Sequence, residues 1–132
     1  MPIKDNAMSN NMTMFSVNIS GFDNLDVISV DLPTFNLSND ELTHNVITLT
    51  VVNNLLTSQQ VWKWLMNEKK LLNNERDMSI TLMGNYTTPY ERWDMKDVSI
   101  VSVSFGRLNK RSDDRSLITL VLDFDNASLI QL

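Results

Sequence analysis

Few residues in this chain have the type and spacing that chemistry needs. There is one histidine, His44, and no cysteine. A lone histidine with no thiolate or acidic neighbour falls short of a zinc ligand set and of a nucleophile–base–orienter triad. His44 therefore reads as a surface residue at a loop-to-strand junction. Asp23, Asp26 and Asp31 lie close in sequence, but they lack the spacing, the glycine and the closing glutamate of a calcium loop. Asp113-Asp114 and Asp123 with Asp125 pair carboxylates as a glycosidase does, and a solvated acidic edge has the same composition. No GxSxG, GxGxxG or GxxxxGK[ST] pattern occurs, and three glycines leave little material for a phosphate-cradling loop. The expectation is a protein that is not an enzyme and that uses no cofactor and no metal.

The charged and aromatic residues point to surfaces instead. Arg107, Lys110, Arg111 and Arg115 form a local basic cluster, interrupted by Asp113 and Asp114. With 11 basic and 16 acidic residues the net charge is −5, which disfavours tight binding to a phosphate backbone. A mixed-charge tip of this kind suits salt bridges to a neighbouring subunit, or it is a solvated loop. Trp64 shares an apolar stripe and belongs to a core. Trp62 points elsewhere on a helix, so it is either boundary packing or an interface residue. Tyr86-Thr-Thr-Pro-Tyr90 together with Trp93 keeps open a reading from another class, a β-sandwich ligand- or glycan-binding module. No apolar run approaches the ~20 residues of a membrane helix, and the start of the chain is polar, so neither a membrane anchor nor a secretory signal is expected.

The elements that must position these residues follow from periodicity. Phe15–Ile19 alternates as a first strand, and Gly21 to Asn24 makes a turn. A second strand runs from Leu25 to Leu32, with Ile28, Val30 and Leu32 on one side, and Pro33 ends it. Thr34–Thr43 is a polar loop, part of which can pair as an edge. Val46–Val52 is a third strand. A helix over about 58–72 follows, capped by Thr57 or Ser58, with Gln60 placed as in a capping box, and closed near Asn73-Asn74. Met78–Met83 and a long stretch from Glu91 to Phe105 come next. In the latter the apolar face swaps through a bulge near Ile100-Val101. Gly106–Arg115 is a charged hairpin loop. The closing strand, Ser116–Asp125, is apolar on one face (Ile118, Leu120, Leu122, Phe124) and mixed on the other (Leu117, Thr119, Val121, Asp123). The fold class is mainly β, two packed antiparallel sheets as a sandwich or half-barrel with one flanking α-helix. Residues 1–14 form a polar N-terminal arm, and 15–132 form one β domain.

In this order the segments resemble the tail-tube proteins of contractile-tailed bacteriophages and, more distantly, the Hcp ring proteins of type VI secretion. The resemblance rests on Phe15-Ser-Val-Asn-Ile19, Val30-Asp-Leu-Pro33, Ile47–Val52, Val61-Trp-Lys-Trp64, Val98–Phe105 and Ile118–Asp125. It covers most of the chain and contains no diagnostic short motif. It implies a structural virion protein in which six copies form a ring whose inner sheets join into a β-barrel. Rings stack into the tail tube, and DNA passes through the lumen during ejection without tight or specific binding. The implied partners are further copies of the chain, sheath, and baseplate or tail-terminator proteins. The implied location is the virion tail, assembled in the host cytoplasm. A tube initiator, baseplate or tail-terminator component of the same fold is the alternative. It arises because only about a dozen residues separate the second and third strands, where larger family members carry a longer insertion. The subunit-interface candidates are Leu117, Thr119, Val121 and Asp123 on the closing strand, Trp62 on the helix, and Arg107, Lys110, Arg111, Asp113 and Asp114 in the hairpin loop.

Overall fold

The computed structural model describes residues 14–23, 25–33, 37–38, 41–42, 46–70, 76–84, 88–108, 110 and 116–132. The elements in chain order are β1 (Met14–Ile19), β2 (Val27–Asp31), β3 (Leu37–Ser38), β4 (Glu41–Leu42), β5 (Val46–Val52), α1 (Leu55–Lys69), β6 (Arg76–Met83), β7 (Pro89–Ser104), β8 (Leu117–Asp123) and β9 (Asn126–Gln131). Of the Thr34–Thr43 loop, the described part is the short β3–β4 ladder, an edge pairing the polar sequence allowed. The remaining seven strands form one antiparallel network in the order β1-β6-β7-β8-β5-β2, with β9 added on β7.

The sixteen-residue β7 divides that network into two leaves. Its first half lies between β6 and β9, and β1 completes that leaf. Its second half pairs with β8, followed by β5 and β2. Lys96 pairs with Asn126 in the first leaf, and Ser99 pairs with Asp123 in the second. Asp97 lies between them at φ 57, a left-handed conformation that aspartate tolerates better than most residues. Met95 and Val98 are three positions apart and both fully buried, which simple alternation forbids. The extra residue restores their common direction as the strand changes leaf. Strands that switch sheets through bulges build the corners of such sandwiches.

One core joins the leaves. Ile19, Met78, Ile80 and Met95 from the first belong to the same buried cluster as Ile47, Leu49, Val51, Ile118, Leu120 and Leu122 from the second. Val61 and Trp64 bring α1 into it. The expected bulge in the long strand is present, as a register shift between Ile100 and Ser102. Before it, Val98 and Ile100 are buried; after it, Val103 packs on the core and Val101 itself is exposed.

Three expectations need correction. In β2 the residues packed on the core are Val27 and Val30, whereas Ile28 and Leu32 are 51% and 42% exposed. A register shift between Val27 and Ser29 makes Ile28 the extra residue and breaks the alternation. The helix starts a turn early: Asn54 is the cap, and its Oδ1 accepts the Thr57 N–H at 2.9 Å. Asparagine is as good a cap as serine, and it reaches the helix first as the chain leaves β5; Thr57 is buried in the first turn instead. The helix ends at Lys69 rather than 72, its cap Lys70 donating to the Met66 carbonyl at 3.1 Å; Leu71 to Asn74 lie outside the described residues. Finally, β9 is a strand that the periodicity left unassigned.

Arg76 fastens α1 to the first leaf. Its guanidinium lies 4.9 Å from the Trp64 ring centroid and 5.2 Å from that of Phe22, a cation–π arrangement. Nη1 donates to the Ser20 carbonyl at 2.6 Å, and the Phe22 and Trp64 rings meet edge-on at 5.7 Å. Burial pulls the guanidinium below its ordinary pKa. Gly21, at φ +88, leaves the room for it: a Cβ there would run into Nη1.

Candidate assembly surface

The second leaf presents two unlike faces. Ile118, Leu120 and Leu122 are fully buried and Phe124 is 4% exposed, all toward the core as the closing-strand pattern requires. Leu117, Thr119, Val121 and Asp123 point the other way and are exposed or half-buried. The register extends this second face across four strands. Asp31, Thr48, Val121 and Ser102 form one row; Ser29, Thr50, Thr119 and Ser104 form the next; Val46, Asp123 and Ser99 flank them. Because α1 packs through Val61 and Trp64 into the core, this face is left as a grid of hydroxyls. Its charged members in the register are Asp31 and Asp123, with no lysine or arginine among them.

The leaf also has two free edges. Among the described residues no strand pairs with the side of β2 away from β5, nor, beyond the Arg76–Val98 pair, with the side of β7 away from β8. Each of these edge strands carries a bulge whose extra residue is apolar and exposed: Ile28 at 51% and Val101 at 56%. Monomeric proteins usually blunt such edges with charge or proline. The opposite leaf looks different. On its outer face Arg92 binds Asp94 in a fork at 2.8 and 3.2 Å, and Lys96 reaches Asp77 at 3.4 Å, beside an open groove of about 270 Å³. Opposite charges are already matched within that leaf.

One end of the second leaf gathers the remaining candidates. Here β5 runs into α1, with Asn53 N–H on the Ser116 carbonyl at 2.9 Å. Trp62 is 53% exposed and its ring stands 6.3 Å from Phe105. Leu55 and Leu108 are 76% and 86% exposed, and Arg107 and Lys110 are exposed as well. Gly106, at φ +83, turns so close to the Leu117 carbonyl that a Cβ there would strike it. Arg111, Asp113, Asp114 and Arg115 lie outside the described residues.

The residues behind the ligand- or glycan-binding reading are only partly described. Trp93 packs against the core, Tyr90 is 45% exposed, and Tyr86 lies outside the described residues, as does His44. No group of three or more His, Cys, Asp or Glu that could hold a metal ion occurs among the described residues. What the periodicity missed is the bulge at Ile28 and β9. In Asn126–Gln131 the half-buried residues are Ala127 and Ile130, an odd spacing that hides the strand from an alternation test.

No family model matches the chain, and no curated protein matches it either. Solved structures do. Hcp1 from Flavobacterium johnsoniae superposes with a TM-score of 0.64 at 14% identity, over 87% of this chain and 93% of that one. The sheath–tube complex of an extracellular contractile injection system, PVC, in its extended state contains a chain matching at TM-score 0.64 and 11% identity, over 99% and 100%. The sheath/tube terminator of PVC matches at TM-score 0.53 and 18% identity, over 98% and 97%. Two antiparallel leaves sharing a bent strand, one core and one flanking helix thus give this chain the fold of Hcp and the contractile-system tube proteins.

Proposed function

We propose that the chain is a structural subunit of a contractile tail or injection system, forming a hexameric ring within its tube. The observation that carries this is the second leaf, with one core face, one hydroxyl-lined open face and two edges that no described strand pairs. Along it each step is antiparallel, so β2 and β8 run one way and β5 and β7 the other. Cyclic rotation preserves strand direction, so β7 of one copy meets β2 of the next antiparallel, the pairing that hydrogen-bonds without a crossover. Repeated around the ring, the leaves make a closed sheet, which removes both edges. The open face becomes the bore, with Thr119, Val121 and Asp123 lining it. A hydroxyl surface bearing only carboxylates lets DNA or another anionic cargo pass without adhesion. In this reading sheath, baseplate and terminator proteins are the partners, the protein resides in the tail, and it assembles in the host cytoplasm. The likeness to a sheath/tube terminator supports one second reading, a capping ring of the same fold.

Purified protein is expected to give sixfold rings or tubes in negative-stain images. Ile28→Lys and Val101→Lys, each adding charge to one exposed edge residue, are expected to leave folded monomers. Rings that persist in both variants would refute the edge pairing, and a wild-type protein that stays monomeric at high concentration would count against the ring.

A further inference from the structure

Among the described residues, four buried side-chain polar atoms have no hydrogen-bond partner within the protein: Thr57 Oγ1, Gln60 Oε1, Glu68 Oε2 and Arg76 Nε. Three lie on α1, and the fourth belongs to the residue that fastens α1 to the first leaf. Positions 57, 60, 64 and 68 are three and four apart, so these side chains share the helix face that carries Trp64 inward. Native packing avoids such a concentration, because each orphaned group gives up its bonds to water and gains none in return. From this seam we infer that α1 is a latch, which opens as a unit about Asn54 while both leaves stay paired. The inference concerns a single copy and goes beyond the ring reading.

Side-chain contacts close the latch. Val61 and Trp64 are fully buried, and the Arg76 guanidinium lies against the Trp64 and Phe22 rings. Gln60 Nε2 donates to the Gly21 carbonyl at 3.4 Å, a long and exposed bond. The leaves are held differently, by main-chain ladders in register, with β5 paired to β2 on one side and β8 on the other. Opening α1 breaks none of these ladders, and the helix carries its own i→i−4 bonds with it. The pivot is anchored at the β5 end. Asn53 is held to the start of β8, its N–H on the Ser116 carbonyl at 2.9 Å and its Nδ2 on Ser116 Oγ at 3.3 Å. Asn54 follows in an extended conformation, φ −134 and ψ 171, and begins the helix. Lifting α1 returns the orphaned groups to water and uncovers Val61 and Trp64, so the open form presents an apolar patch that the closed form lacks. Units of this kind open below the free energy of global unfolding.

Amide hydrogen exchange on the full chain, kept dilute enough to be monomeric, tests this. The amides of α1 are expected to exchange at least about tenfold faster than those at the centres of β5 and β8, with a weaker dependence on urea below the unfolding transition. Ile47→Val trims a fully buried residue of β5, in the part that stays folded when the latch opens. It should speed exchange in β5 and β8 about fivefold and leave α1 unchanged. Thr57→Val keeps the side-chain shape and removes one orphaned oxygen, so it should slow α1 exchange about fivefold. If α1 amides follow β5 and β8 in urea, or speed up equally in Ile47→Val, the helix opens only with the whole molecule and the latch is overturned. Faster α1 exchange in Thr57→Val would overturn the part assigned to the orphaned groups.

Discussion

Leu120 and Thr119 are neighbours on β8 that separate the two faces most sharply. Leu120 is fully buried and paired in register with Leu49 and Val103, so truncating it removes atoms from the centre of the second leaf. The Leu120→Ala change deletes three carbon groups at about 0.8 kcal/mol each. A residual cavity of roughly 50 Å³ adds about 1.2 kcal/mol. The expected loss is about 3.5 kcal/mol, near the middle of the range for buried leucines, which lowers the melting temperature by about 10 °C in a chain of this size. Thr119→Ala lies on the open face opposite Thr50 and Ser104 and should cost under about 1 kcal/mol, mostly strand propensity. Urea unfolding followed by tryptophan fluorescence reads both, since Trp64 is fully buried and reports loss of the core. Protein concentration is kept low enough for monomers, because assembly raises apparent stability by mass action. Equal losses for the two variants, or a larger one for Thr119→Ala, would show that the faces are assigned the wrong way round.

Two further outcomes follow from backbone geometry. Asn54→Ala removes the side chain that accepts the Thr57 N–H and should destabilise the protein by about 1 kcal/mol, seen as a lower urea midpoint with unchanged slope. Gly106→Ala forces a side chain into a left-handed position against the Leu117 carbonyl. It should cost at least about 1–2 kcal/mol, measured in the same denaturant series; a neutral result would mean that the β7-to-loop turn adopts another conformation in solution.

The strand interiors were legible because period-two patterns report local exposure directly. Val46–Val52 and the core row of β8 needed no partner to be recognised. The bulge at Ile100-Val101 was also readable, because a swap of apolar parity within one extended run has few other causes. The bulge at Ile28 was not. Ile28, Val30 and Leu32 make an unbroken alternation in sequence, and only the register against β5 shows Val27 turned inward instead. The helix start moved for a comparable reason: Asn54, Thr57 and Ser58 are all competent caps, and the choice among them depends on where β5 releases the chain.

What the sequence determined by itself was therefore the supply of apolar faces and the poverty of chemical groups. Alternation marked Ile118, Leu120, Leu122 and Phe124 as one face, and a single histidine with no cysteine left little from which to build a reaction centre. Tertiary structure decided how those faces are shared. Asp97 and the bulge after Ile100 bend β7 from one leaf into the other, so that a single core serves both. Among the described residues β2 and the second half of β7 are the edges of that leaf, and Arg107 and Lys110 lie at the end opposite Asp123 and Asp125. Side-chain periodicity is a property of a few adjacent residues, whereas an edge or a charged end exists only once distant strands have been paired.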